Sequence, residues 1–190
     1  EADRLRDLVD RMLGPWQPVL FEAVNLVEVI EHVMHILQPE FKPDLHLQRD
    51  YDPSLPEVSG NKDQLIQAIL NIARNACQAL STIEYAKLTF RTRVMRQFTI
   101  GSVRHKQVMH LSITDNGPGI PPDLIDRIFF PMISGRAEGS GLGLSISQNI
   151  IGQHGGALQV SSRPGNTVFS VFLPFHGPAE SDAADKRKAL

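Results

Sequence analysis

Three sets of residues in this chain have the types and spacing to do chemistry. The first is Asp115 with the turn Asn116–Gly117–Pro118–Gly119 behind it. Met109, Leu111 and Ile113 alternate with His110, Ser112 and Thr114, the period of a half-buried strand, and Asp115 falls in phase with the apolar set. A carboxylate at the buried end of a strand is costly unless something bonds to it. Two readings stand: an Asp that starts a turn before Asn-Gly, or a carboxylate placed to accept a donor from a ligand. The second set is Gly139–Ser140–Gly141–Leu142–Gly143, which opens a helix through Leu144, Ser145, Ile146, Ile150 and Ile151. A glycine-rich turn at a helix start presents free N–H groups and a positive dipole end, which suits phosphate. One such turn serves loop geometry equally well; two that flank a lid-sized loop are stronger. The pattern is neither a Walker A loop nor a dinucleotide fingerprint.

The third set lies on one helix. At 3.6 residues per turn, Gln64, Gln67, Asn71, Arg74, Asn75 and Gln78 fall within an arc of about 100°. The strip carries amides and no carboxylate, whereas an ordinary solvent face mixes Lys and Glu. Asn is a poor helix former, yet two stand mid-helix, one turn apart. Amide oxygens suit a hard cation that also holds phosphates and water. A merely polar face is the plainer alternative.

These residues need elements to position them. Asn61 caps a helix over 62–80, with Gln64 at the capping-box position. Leu65, Ile66, Ile69, Leu70, Ile72, Ala73, Ala76, Cys77 and Leu80 form its apolar side. Asn25 caps another, with Glu28 at the box position and Leu26, Val29, Ile30, Val33, Met34 and Leu37 as a core-facing stripe. His32 and His35 sit off that stripe and read as a solvated face rather than a metal site. Strands are predicted over 45–51, 86–95 and 107–115, with a loose segment between the last two and their Arg and Lys on a solvated edge. His154 ends the last helix before Gly155–Gly156. Leu158, Val160, Phe169, Val171, Leu173 and Phe175 predict a closing hairpin around Pro164–Gly165–Asn166. Leu5, Leu8, Val9 and Met12 mark a short helix stopped by Gly14–Pro15, too short to be stable alone. Because the chain starts without Met and inside that pattern, it is expected to be a fragment whose first helix packs on something outside it, on a second copy, or on the domain core.

Composition narrows the classes. With 190 residues and 42% apolar content, the chain suits one domain plus appendages. A net charge of −2 gives no basic field for nucleic acid or membrane. A single cysteine excludes an intrachain disulfide and fits a reducing, cytoplasmic compartment. No apolar run approaches the roughly 20 residues of a membrane span, and no signal peptide is visible.

Four motifs together resemble the catalytic ATP-binding domain of two-component sensor histidine kinases, within the gyrase, Hsp90, kinase and MutL (GHKL) superfamily. They are an N box over Gln67–Ala76, a G1 box over Asp115–Ile120, an F box around Ile128–Phe129–Phe130–Pro131–Met132, and a G2 box over Gly139–Leu144. Within that family, RLRDLVDRMLGP and FFPMISGRAEGSGLGLSIS are most similar to the nitrogen-regulation kinases. The resemblance implies a two-layer α/β sandwich, the Bergerat fold, with a mixed β-sheet and helices on one face. It implies three segments: 1–15 as the end of a dimerisation and histidine-phosphotransfer helix, 16–175 as the catalytic domain, and 176–190 as a flexible tail. It implies that ATP and Mg²⁺ are bound, with Asp115 taking the adenine amino group and Gly117, Gly119, Ile120 and Gln78 near the base. Asn75 ligates the metal with Asn71 assisting. Gly139, Ser140, Gly141, Leu142, Gly143 and Leu144 cradle phosphates, and Arg136 neutralises their charge.

The implied partners are ATP and ADP, the protein's own dimerisation domain in a homodimer, a response-regulator receiver domain and a PII-type regulator. Superfamily members that hydrolyse ATP place a Glu one turn before the metal Asn. Here that position is Asn71, so weak hydrolysis is expected. None of His32, His35, His46, His105, His110, His154 or His176 has the family's phosphoacceptor setting; the acceptor is expected upstream. The competing readings are a non-catalytic nucleotide- or partner-binding module of the same fold, and an ATP-gated clamp of the gyrase type.

Overall fold

A computed structural model describes residues 20–41, 43–133 and 141–176 of the chain. The helix predicted at 1–13, the lid residues Arg136, Gly139 and Ser140, and the tail from 177 to 190 lie outside the described residues. The elements run β1 (Glu22–Val24), α1 (Leu26–Leu37), β2 (His46–Asp50), β3 (Val58–Gly60), α2 (Lys62–Ala79), β4 (Lys87–Ile100), β5 (Val103–Asp115), α3 (Pro122–Ile125), α4 (Gly143–Gln153), β6 (Ala157–Arg163) and β7 (Asn166–Pro174).

Five strands form one sheet in the order β2-β4-β5-β7-β6. β2 runs parallel to β4 and the other pairs are antiparallel, so the sheet is mixed. β1 and β3 make a separate antiparallel ribbon. Alternate residues of three strands, Leu88 and Phe90, Met109, Leu111 and Ile113, Phe169, Val171 and Leu173, meet the helices in one core. The helices bring the stripe of α1, the Leu65–Ala76 side of α2, and Ile150 and Ile151 of α4. Burying each large side chain contributes roughly 1.5–3 kcal/mol. The result is the expected two-layer sandwich, helices on one face.

Both long helices start at the predicted caps. Asn25 accepts from the backbone N–H of Val27 at 3.0 Å, and Asn61 accepts from that of Gln64 at 3.0 Å. The capping box at α2 closes only halfway, because the Asn61 N–H goes to His154 Nε2 at 3.0 Å. The Gln64 side-chain oxygen is buried and has no hydrogen-bond partner among the described residues. His32 and His35 are exposed on α1.

The loose segment predicted near residues 96–106 is instead the far half of a long β4–β5 hairpin, paired out to Ile100 and Val103. Arg96, Gln97, Arg104, His105, Lys106 and Gln107 show no apolar alternation, so the ladder there is carried by backbone bonds that side-chain pattern does not report. Gln97 takes a left-handed φ of 52°. Beyond it Phe98 stacks on Phe172, ring centroids 4.3 Å apart. Arg93 and Arg91, with side chains still open to solvent on this edge, each grip Asp50 at 2.7 Å and hold its carboxyl below the usual range.

Candidate functional site

β5 delivers Asp115 to the edge of the core, where it is 3% exposed. Its Oδ1 accepts from the Gly117 N–H at 2.9 Å, so the turn-starting role is real. The turn behind it is anchored on three sides. Asn116 Oδ1 accepts from Lys87 N–H and Asn116 Nδ2 donates to the Tyr85 carbonyl, both at 2.7 Å. Gly117 O accepts from Gly165 N–H at 2.8 Å. Ile120 N–H donates to Ser162 Oγ at 2.8 Å, and Ser162 in turn bonds Thr167 at 2.8 Å. A Cβ on Gly117 would lie 2.7 Å from Asp115 Oδ1 and 3.2 Å from Ala79 Cβ. The last turn of α2 therefore closes directly against the first glycine turn.

The second glycine turn lies one layer away. Leu142, at the cap position of α4, has no side-chain acceptor, so the first N–H groups of the helix are not capped by it. Asn71 Nδ2 donates to the Gly143 carbonyl at 3.2 Å. Ser147, fully buried, places Oγ 2.9 Å from Gly143 O and 3.0 Å from Ala68 O. The N-box helix and the start of α4 are thus stitched at two carbonyls, Asn71 onto Gly143 O and Ser147 onto Ala68 O. Gly141 has φ +66°, and a Cβ there would sit 2.7 Å from the Met132 carbonyl carbon. Met132 N–H donates to Gly141 O at 3.0 Å, with Met132 itself at φ 65°.

The sequence-predicted residues divide accordingly. Asp115, Gly117, Gly119 and Ile120 come together at the end of β5. Asn71, Gly141, Leu142, Gly143 and Leu144 come together at the start of α4. Asn75 is half-buried one turn beyond Asn71, and Gln78 is exposed. Arg74 is drawn off the strip by Glu40, at 3.1 Å. In the F box Phe129 packs against the core, while Phe130 is 60% and Met132 75% exposed. Among the described residues no group of three or more His, Cys, Asp or Glu is placed to hold a metal. Ala79 and Ser147 were missed by sequence reasoning. Ser147 had a signal, since a Ser one turn past a helix-opening Gly can bond the carbonyl four residues back; Ala79 had none.

Residues 60–177 match the family described as histidine kinase-, DNA gyrase B-, and HSP90-like ATPase. The chain is 51% identical over 174 residues to the sensory histidine kinase/phosphatase NtrB of Vibrio alginolyticus, covering 92% of this chain and 50% of that protein. It is 48% identical over 174 residues to NtrB of Salmonella typhimurium, with the same coverage of 92% and 50%. The chain thus spans about half the length of these relatives. Among solved structures it is similar to the nucleotide-free catalytic domain of histidine kinase ThkA, with a TM-score of 0.69 and 26% identity over 82% of this chain and 96% of that one.

Proposed function

The chain belongs to the family of histidine kinase-, DNA gyrase B-, and HSP90-like ATPases, and from that premise we propose that it transfers the γ-phosphoryl group of ATP to a histidine on a dimerisation domain of a nitrogen-regulation sensor kinase. Residues 16–175 are then the catalytic domain, 1–15 the end of the dimerisation helix and 176–190 a tail. Asp115 accepts the adenine amino group, and Gly117 and Gly119 let the backbone approach the base. Gly139, Ser140, Gly141, Leu142, Gly143 and Leu144 receive the phosphates with the dipole of α4, and Arg136 offsets their charge.

The donor set fits Mg²⁺. With no carboxylate in the amide strip and no cluster of metal-binding side chains among the described residues, the protein supplies little beyond an amide oxygen. That suits a hard cation that keeps water and phosphate as its other ligands. Asn75 would hold it, with Asn71 beside. When bound, Mg²⁺ neutralises phosphate charge. Neutral imidazole is already a nucleophile near pH 7, so transfer needs positioning and charge neutralisation more than a base. Asn71 has no carboxylate to activate water and its Nδ2 is engaged at Gly143 O, which supports weak hydrolysis. The partners are the dimerisation domain, a receiver domain and a PII-type protein, in the cytoplasm.

The observation that carries this reading is the Asn71–Gly143 contact, 3.2 Å long, which brings the amide strip and the second glycine turn into one site. The test mixes this chain with a separately made histidine-bearing dimerisation domain and γ-labelled ATP. Label on the acceptor histidine, with none on this chain incubated alone, is expected. An unlabelled acceptor overturns the kinase reading.

A further inference from the structure

Helices α2 and α4 carry two halves of the proposed site, and at the end remote from it one side chain ties them together. His154 closes α4 and is 1% exposed. Its Nε2 accepts the Asn61 N–H at the cap of α2 at 3.0 Å. The proton therefore sits on Nδ1, which donates to the Ile150 carbonyl at 2.8 Å. Only one tautomer satisfies both bonds. The fold leaves room for the ring, since a Cβ on Gly60 would lie 2.8 Å from its Cδ2. The segment leading into β1 meets the same junction. The Phe21 ring packs on His154 at 4.9 Å, tilted 44°, and Leu20 O accepts from Asn61 Nδ2 at 3.4 Å.

We propose that His154 is a positioning residue for triphosphate binding, fixing α2 against α4 and coupling the segment before β1 to both. The inference rests on the ATP reading above. Helices are stiff, so two attachments are needed to set their register. One lies at the site, where Asn71 of α2 donates to Gly143 O and Ser147 of α4 donates to Ala68 O; the other is His154 on Asn61. With the second removed, α4 can pivot about the first, and its opening turn moves relative to Asn71 and Asn75. The base contacts on β5 and the first glycine turn do not pass through this junction. Loss of His154 should therefore weaken the hold on phosphates and spare the base. α4 itself carries no charged side chain, and Glu22, Glu57, Lys62, Asp63 and His176 on the neighbouring segments are exposed.

The test is titration calorimetry of this chain with Mg²⁺-ATP and with adenosine, at denaturant-verified full folding. The variants are H154L, H154Q and F21A. A glutamine oxygen can accept the Asn61 N–H; leucine cannot. H154L should lower ATP affinity about tenfold while adenosine changes little. H154Q should recover most of the ATP-to-adenosine ratio, and F21A should lower that ratio by a smaller factor. Nitrogen NMR of the wild-type imidazole should show the proton on Nδ1. An unchanged ratio in H154L, or H154Q as impaired as H154L, overturns the positioning role. If H154L does not fold, H154Q and F21A decide, and an unchanged ratio in F21A removes the coupling to the segment before β1. Wild-type chain that binds no ATP overturns the ATP reading instead, and the tautomer spectrum still judges the junction on its own.

Discussion

The two sides of the candidate site are built differently. On the Asp115 side three turn residues are pinned to neighbouring segments: Asn116 to the start of β4, Gly117 to the β6–β7 turn, Ile120 to Ser162. The acid is buried and its oxygen is already aimed by Gly117. On the α4 side, among the described residues, the backbone bond from Met132 to Gly141 joins two residues in left-handed conformations, with Phe130 and Met132 exposed beside them. The contrast matches two tasks. A base is recognised by groups fixed before it arrives, which lowers the ordering cost of binding. In the proposed function, a triphosphate to be passed to a histidine is met by the less anchored of the two turns.

The sharpest way to break that comparison is Asp115→Ala. Losing a charge-assisted bond to the base should weaken ATP and adenosine alike, by roughly a hundredfold. Calorimetry that finds ATP uptake intact would remove the acid from recognition altogether. Next in size is Gly141→Val. A β-branched residue at φ +66°, with its Cβ against Met132, carries strain of about 1–3 kcal/mol. Roughly tenfold weaker ATP binding with unchanged adenosine binding is expected, since the strain falls on the phosphate side only. Equal losses for both ligands would mean the two sides are one mechanical unit.

Sequence legibility followed the same division. The strand of Met109, Leu111 and Ile113 and the caps at Asn25 and Asn61 were readable because alternation and capping are local physics. The amide strip was readable as unusual, but not its partition. Whether Arg74 serves the site or pairs with Glu40 depends on where the turn after α1 lands, which no local pattern encodes. The β4–β5 hairpin beyond Met95 was illegible for a related reason: backbone ladders hold it, most of its side chains are exposed, and the stacking of Phe98 on Phe172 spans 74 residues. His154 read as a helix terminator, while its second bond, to Asn61, spans 93 residues.

A smaller effect should come from Asn71→Ala. It removes the side-chain bond to Gly143 O while Ser147 keeps its own. Loss of one neutral bond is worth about 0.5–1.5 kcal/mol. ATP affinity should fall by a few fold, with adenosine unaffected. Phosphotransfer to a supplied acceptor should fall further than affinity does. A variant that binds and transfers as the wild type does would leave Asn75 alone as the working amide.

The smallest expected effect is on stability and comes from acid. Burial holds His154 below the ordinary imidazole range, with the Ile150 carbonyl opposing in part, and burial alone does the same to His110. In the unfolded chain both return to about 6.5. The native state needs them neutral; a proton on His154 Nε2 would face the Asn61 N–H, donor against donor. Stability is therefore fully present above about pH 6.5 and falls as pH drops below it, because the unfolded chain then binds the extra protons. Each histidine contributes at most about 1.4 kcal/mol per pH unit between its two values. H154Q should remove one of the two contributions, flattening the stability profile below about pH 6.5. Denaturant melts at closely spaced pH values measure that slope. An identical slope in wild type and H154Q would show that His154 accepts its proton in the folded chain as readily as in the unfolded one, which the Asn61 bond does not allow.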